Sequence, residues 1–254
     1  MGELSGKRAL VTGASRGVGF GIAKAFAAAG AEVVATARNA AALENLQREI
    51  AAAGGRVAIV PGDLSTREGA RDVARRSGEI DVLVNNAALV TGAQHSLLVE
   101  DDAAWDLEFA VNLTAPVTLI QALVPGMAQR GAGVVINISS IAVQRPNPMH
   151  AAYAASKAAL ETITRAAAID LAPRGVRLNA VALGMTATEA WDDLLPKGFT
   201  LEEMGRRVAP IGRATTVAEV AALCLYLAGD AAAAITGTVL TIDGGATAGV
   251  YTPG

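Results

Sequence analysis

The chain of 254 residues has one cysteine, two histidines and no dense basic run, and each scarcity excludes something. Cys224 cannot form an internal disulfide. It sits in the apolar helical run Val220, Leu223, Cys224, Leu227, the pattern of a buried free thiol in a reducing compartment. His95 and His150 have no second histidine or cysteine at ligand spacing, so no metal site is expected and both read as loop surface. His150 carries one reservation, because with Gln144 and Met149 it belongs to a loop that borders the groups singled out below. Lys and Arg total 21 against 24 Asp and Glu, a net charge of -3, which makes nucleic acid and anionic membranes poor partners. There is no unbroken apolar run of about eighteen residues and no cleavable leader pattern. Met1-Gly2 lacks the Ser or Thr that myristoylation needs at the position of Gly6. The expected location is cytoplasmic. No repeat and no linker divides the chain, so residues 1–254 are expected to form one domain.

What is present is an alternation. Apolar strand signals at 8–12, 32–37, 56–60, 81–84, 133–138, 177–182 and 238–242 are separated by helical patterns. One of these, from about Ala103 to Met127, is expected to kink at Pro116 and end at Pro125. Near-continuous apolar strands alternating with helices predict an α/β fold, a doubly wound parallel sheet of about seven strands covered on both faces. In such sheets ligands sit beyond the carboxyl ends of the strands. The segments after Gly13, Asp63, Asn85, Ser140 and Gly184 are all at that edge. Residues 184–216 have no clean period; Trp191, Leu194, Leu195, Phe199 and Met204 there suggest an apolar substrate lid. Asp101-Asp102 and Asp192-Asp193 read as helix-start charges.

Thr12-Gly13-Ala14-Ser15-Arg16-Gly17-Val18-Gly19 lies between the first strand and the first helix. There backbone N–H groups and a helix N-terminus can approach a pyrophosphate. The second strand ends in Arg38 with no acid in reach, so Arg38 and Arg16 read as a clamp for a 2′-phosphate, and NADP(H) is preferred over NAD(H). Tyr153 and Lys157 are one helical turn apart, and a neighbouring ammonium is expected to lower the phenol pKa and make it an acid/base.

On these residues, together with Asp63, Asn85-Asn86-Ala87, Asn112, Ser140 and Asp243-Gly244-Gly245, the whole chain resembles the short-chain dehydrogenase/reductase family. The resemblance implies a Rossmann-type fold and hydride transfer between a nicotinamide cofactor and a carbonyl or alcohol. It implies Asp63 and Leu64 at the adenine, Asn85 and Ala87 near the ribose, and Gly184, Thr186 and Thr188 on the carboxamide side. It gives Ser140, Tyr153, Lys157 and Asn112 the catalytic roles, Asn112 through a water relay to Lys157. Family spacing selects Ser140 over Ser139, which is expected to bond local backbone. Two residues depart from the family pattern: Ala88 and Leu183 stand where glycine and proline are usual, and Leu183 is expected to add apolar bulk near the nicotinamide.

Within the family the plan is closest to 3-oxoacyl-acyl-carrier-protein reductases. The expected activity is NADPH-dependent reduction of a ketone, a 3-oxoacyl thioester or another hydrophobic ketone. The alternatives are an NAD(P)+-dependent alcohol dehydrogenase acting on a sugar, steroid or terpenoid, and a catalytically silent NADP(H)-binding regulator. The family also implies a homotetramer or homodimer.

Overall fold

The computed structural model describes residues 2–90, 96–99, 101–191, 195 and 198–250. Met1, His95, Glu100, Asp192, Asp193 and Leu194 lie outside the described residues.

In chain order the strands are β1 (Arg8–Thr12), β2 (Glu32–Thr36), β3 (Arg56–Ile59), β4 (Val82–Asn85), β5 (Gly133–Ser140), β6 (Val176–Leu183), β7 (Thr186–Ala187), β8 (Thr215–Thr216) and β9 (Val239–Ile242). Seven of them form one sheet in the order β3-β2-β1-β4-β5-β6-β9, every pair parallel; β7 and β8 make a separate short ladder. The helices are α1 (Gly17–Ala28), α2 (Ala40–Ala52), α3 (Arg67–Ser77), α4 (Asp102–Phe109), α5 (Ala115–Arg130), α6 (Ala151–Leu171), α7 (Leu201–Val208) and α8 (Val217–Ala228).

Successive strand residues point to opposite faces, so each strand feeds two cores. Val11, Val33, Val84 and Ile136 pack against Phe26 of α1, Leu46 of α2 and Cys224 of α8. Their neighbours Leu10, Val34, Leu83 and Val135 pack against Val73 of α3, Leu119 and Met127 of α5 and Leu171 of α6. This double burial explains why the strands read as continuous apolar runs. Cys224 is fully buried, and desolvation pushes its thiol up to about 12, which makes it an inert core group.

The strand order reverses between β1 and β4, which opens a crevice at their carboxyl ends. One helix lies differently from its sequence pattern. The run from Ala103 to Met127 divides at a π turn, Ala110–Thr114, rather than at a proline kink. Pro116 is the second residue of α5, directly after the π turn, and Pro125 is carried inside α5, which continues to Arg130. The joined run Asp102–Arg130 is long and apolar enough to cross a membrane by length and composition. In the fold, however, its Leu119, Val124 and Met127 are buried against the sheet.

Candidate active site

The loop after β1 is held by β4. Asn86 donates its carboxamide N–H to the Thr12 carbonyl at 2.8 Å, and the Thr12 hydroxyl accepts the backbone N–H groups of Asn86 and Ala87, both at 2.9 Å. This approach leaves no room for side chains. A Cβ on Gly19 would lie 2.4 Å from both the Gly13 carbonyl oxygen and Asn86 Nδ2; one on Gly13, whose φ is +66°, would lie 2.8 Å from Ala87 Cα.

Beyond the loop, α1 starts at Gly17 without a side-chain cap and without an acid in its first turn. Its first N–H groups and positive dipole end therefore face the crevice. Ser15 and Val18 are half-buried in the same turn, and Thr188 reaches it from beyond β7, 3.4 Å from where a Gly17 Cβ would be. Arg16 and Arg38 are exposed and make no ion pair with a described residue. Asp63 accepts from the Ser65 backbone N–H and hydroxyl, which hold its carboxyl below the usual range with a smaller contribution from Arg38; Leu64 beside it is buried. A helix N-terminus with open N–H groups, two exposed arginines and a carboxylate fit the phosphates and adenosine of a dinucleotide.

Four groups meet at the ends of β5 and α6. Ser140 ends β5, and its hydroxyl accepts the Ala142 N–H at 3.1 Å. Ser139, one residue earlier, points to the opposite face and donates to Glu161 Oε1 at 2.8 Å. The expectation of a local backbone partner for Ser139 is thus corrected, because pleating aims it at α6. Asn112 sits in the π turn, whose extra residue directs it inward. Its carboxamide accepts from the Leu89 N–H at 2.7 Å and donates to the Leu89 carbonyl at 2.8 Å and to Ser156 Oγ at 3.2 Å. Ser156 in turn donates to the Tyr153 carbonyl at 2.8 Å. The Asn112 side chain is therefore a clamp between the loop after β4 and α6.

Lys157 is 1% exposed, and its ammonium donates to the Ile138 carbonyl at 2.8 Å, lying 5.8 Å from the centre of the Tyr153 ring. Desolvation lowers its pKa to about 8. The phenol of Tyr153 is shifted upward, chiefly by burial, with the Ser140 hydroxyl opposing and the Glu108 carboxylate adding to the rise. The expected lowering by Lys157 is corrected here, since the cation is itself buried and turned toward a carbonyl. The folded lysine binds its proton more weakly than the unfolded chain. Its contribution to stability is therefore smallest below about 8 and rises with pH toward the ordinary value of 10.5. Denaturant unfolding at stepped pH is expected to show this rise in the wild type and a weaker one in Lys157→Met.

The other expected residues divide. Gly184 packs against Asp243 after β9, and Thr188 faces the loop. Thr186 is buried with its hydroxyl engaged by Thr215 at 3.0 Å, which gives it a structural task joining β7 to β8. Asn85 donates to Asn137 Oδ1 at 2.8 Å inside the sheet, leaving its own carbonyl oxygen buried and without a hydrogen-bond partner among the described residues. Ala87 lines the crevice through its backbone. Leu183 pairs with Ile242 and packs on the core, and Ala88 is exposed. His150 begins α6 half-buried. Asn86, Ser156 and Glu108 were not singled out from sequence, although Asn86 and Ser156 stand inside the two motifs.

A family model described as Enoyl-(Acyl carrier protein) reductase matches residues 13–247. The chain is 39% identical to L-xylulose reductase of Bos taurus, over 96% of this chain and 97% of that protein. The chain belongs to the short-chain dehydrogenase/reductase family. Family members also include a galactitol 2-dehydrogenase (L-tagatose-forming) of Cereibacter sphaeroides, 38% identical over 96% of each chain. A solved 3-oxoacyl (acyl-carrier-protein) reductase of Agrobacterium tumefaciens with NADP bound superposes with a TM-score of 0.89 at 34% identity, covering 95% of this chain and 94% of that one. The chain thus shares its Rossmann-type fold with a family of oxidoreductases that bind a nicotinamide cofactor and whose members named above are dehydrogenases and reductases.

Proposed function

We propose that the protein is an NADP(H)-dependent reductase that converts a ketone to a secondary alcohol, with Tyr153 as proton donor. The observation that carries this is the convergence of Ser140, Tyr153 and Lys157, with the helix braced by Asn112, beside a phosphate-binding turn flanked by Arg16 and Arg38. The bound nicotinamide supplies the hydride. Gly13 to Gly19 and the α1 N-terminus would hold its pyrophosphate, Arg16 and Arg38 the 2′-phosphate, and Lys157 the ribose hydroxyls. A phenol with a raised pKa is protonated at neutral pH and can give its proton to a carbonyl oxygen. The Ser140 hydroxyl donates to the same oxygen as charge develops there. The complete set argues against a silent cofactor-binding regulator.

The arginines make a direct prediction. Arg38→Asp is expected to weaken NADPH binding by at least about tenfold, roughly 1.4 kcal/mol, and to spare NADH. Paired titrations with both cofactors check this; equal losses for the two would refute the phosphate clamp.

For the substrate, small polyhydroxylated ketones are the first choice, on the support of the xylulose and galactitol relatives. The reverse oxidation of the corresponding alcohol proceeds on the same groups. A 3-oxoacyl thioester is the second reading, supported by the structural relative of that name. Residues 184–216 would act as the substrate lid. Trp191 anchors its start by donating to the Thr186 carbonyl at 2.7 Å, and α7 is fixed by a Thr200–Glu203 capping box. Screening ketoses against 3-oxoacyl thioesters with NADPH separates the two readings. A homotetramer is proposed with the cytoplasmic location, Leu107 of α4 and Ile169 of α6 being exposed apolar residues for subunit contacts; sedimentation tests it.

A further inference from the structure

Glu108 is the one buried charge on α4. It is 2% exposed, whereas Asp101, Asp102 and Asp106 of the same segment are exposed. Burying a carboxylate is costly, and none of the steps above uses it. Its place is specific. It is the one buried residue of α4, four residues before Asn112. Beyond it, in the π turn, the Asn112 carboxamide meets Ser156 of α6, which bonds the Tyr153 carbonyl, so α6 is the helix this run lies on. The α4 helix packs on α6 along this seam.

We propose that Glu108 is a positioning residue that acts on the reaction through Tyr153, as a fixed negative charge across the α4–α6 seam from the phenol, and sets the pH range in which each direction runs. The proposal rests on the reductase reading above. Reduction needs the phenol protonated and oxidation needs it ionised, and a negative charge nearby opposes ionisation. The electrostatic coupling of Glu108 to Tyr153 has that sign.

The other groups around the phenol do not duplicate this. On α6, Lys157 is turned to the Ile138 carbonyl, and His150 stands one turn before Tyr153. Glu161, two turns beyond Tyr153, is bonded to Ser139 and Arg165. On β5, Ser140 contributes a neutral hydroxyl. Arg174 and Arg177 lie beyond the far end of α6, with Arg177 bonded to the Leu227 and Gly229 carbonyls at the end of α8.

The test is the pH profile of turnover in both directions, for the wild type and for Glu108→Gln. The alkaline limb of reduction and the rising limb of oxidation are both expected to move to lower pH, by on the order of half a unit, so that oxidation near pH 8 gains about threefold relative to its plateau. Glu108→Asp, which keeps the charge, is expected to restore most of the wild-type profile. Should the amide variant not fold, Glu108→Met, of similar length and uncharged, takes its place with the same expected shift. Loss of turnover by one factor at every pH, with both limbs unmoved, would overturn the proposal and leave Glu108 a packing residue. A wild type that turns over neither carbonyls nor alcohols would instead overturn the reductase reading beneath it.

Discussion

Tyr153→Phe is expected to lower ketone turnover by about a hundredfold or more while NADPH binds as before. The substitution removes one oxygen from a half-buried ring and leaves its scaffold intact. Ser156 bonds the Tyr153 backbone carbonyl, not the phenol, and Lys157 bonds the Ile138 carbonyl. The α6 helix therefore keeps its position, and the Lys157 ammonium remains available to the cofactor. Ser140 cannot replace the lost donor, because a serine hydroxyl gives up its proton far less readily than a phenol. Steady-state turnover together with NADPH titration reads both halves of the prediction. Near-normal turnover would remove Tyr153 from the proton step.

The second large effect belongs to the loop. Gly19→Ala is expected to destabilise the fold by about 1–3 kcal/mol and to weaken NADPH binding by more than about tenfold. Its added methyl would sit 2.4 Å from the Gly13 carbonyl oxygen and from Asn86 Nδ2, so the loop or the Asn86 clamp must move. Either movement tilts the N–H groups at the start of α1 away from the crevice. Denaturant midpoints and cofactor titrations measure the two effects. A variant with both unchanged would show that the loop relaxes without losing its anion-binding geometry.

Much of this was legible in the residues. The strands announced themselves because a parallel sheet buries both faces, so β1, β2 and β6 read as apolar runs bounded by glycine and charge. The Tyr153–Lys157 spacing and the glycine turn also pointed to the candidate site, at the ends of β1, β4 and β5. The π turn at Asn112 was not legible, since an inserted residue leaves no mark in composition and prolines at 116 and 125 drew attention away from it. The sequence did mark α7 through Thr200 and Glu203, three residues apart, and through Leu201, Met204 and Val208 at helical spacing, but a run of two turns rich in charge is too short for that period to stand out. Partnerships between distant segments were the hardest. Ser139 with Glu161, Asn112 with Leu89 and the inward face of Glu108 depend on which helix lies over which strand. The upward shift of the Tyr153 phenol has the same origin, since proximity to Lys157 can be read from spacing and burial cannot.

The central claim is that this site moves a hydride from a nicotinamide to a carbonyl carbon while Tyr153 moves the proton. The most direct measurement uses NADPH carrying deuterium at its transferable position, incubated with a panel of ketoses and 3-oxoacyl thioesters and followed by mass analysis of the alcohol formed. One deuterium in each alcohol per cofactor oxidised, with formation slowed about a hundredfold or more in Tyr153→Phe, is the predicted result. Cofactor oxidation that leaves no deuterium in any product, or labelled alcohol formed at the same rate by Tyr153→Phe, would contradict it.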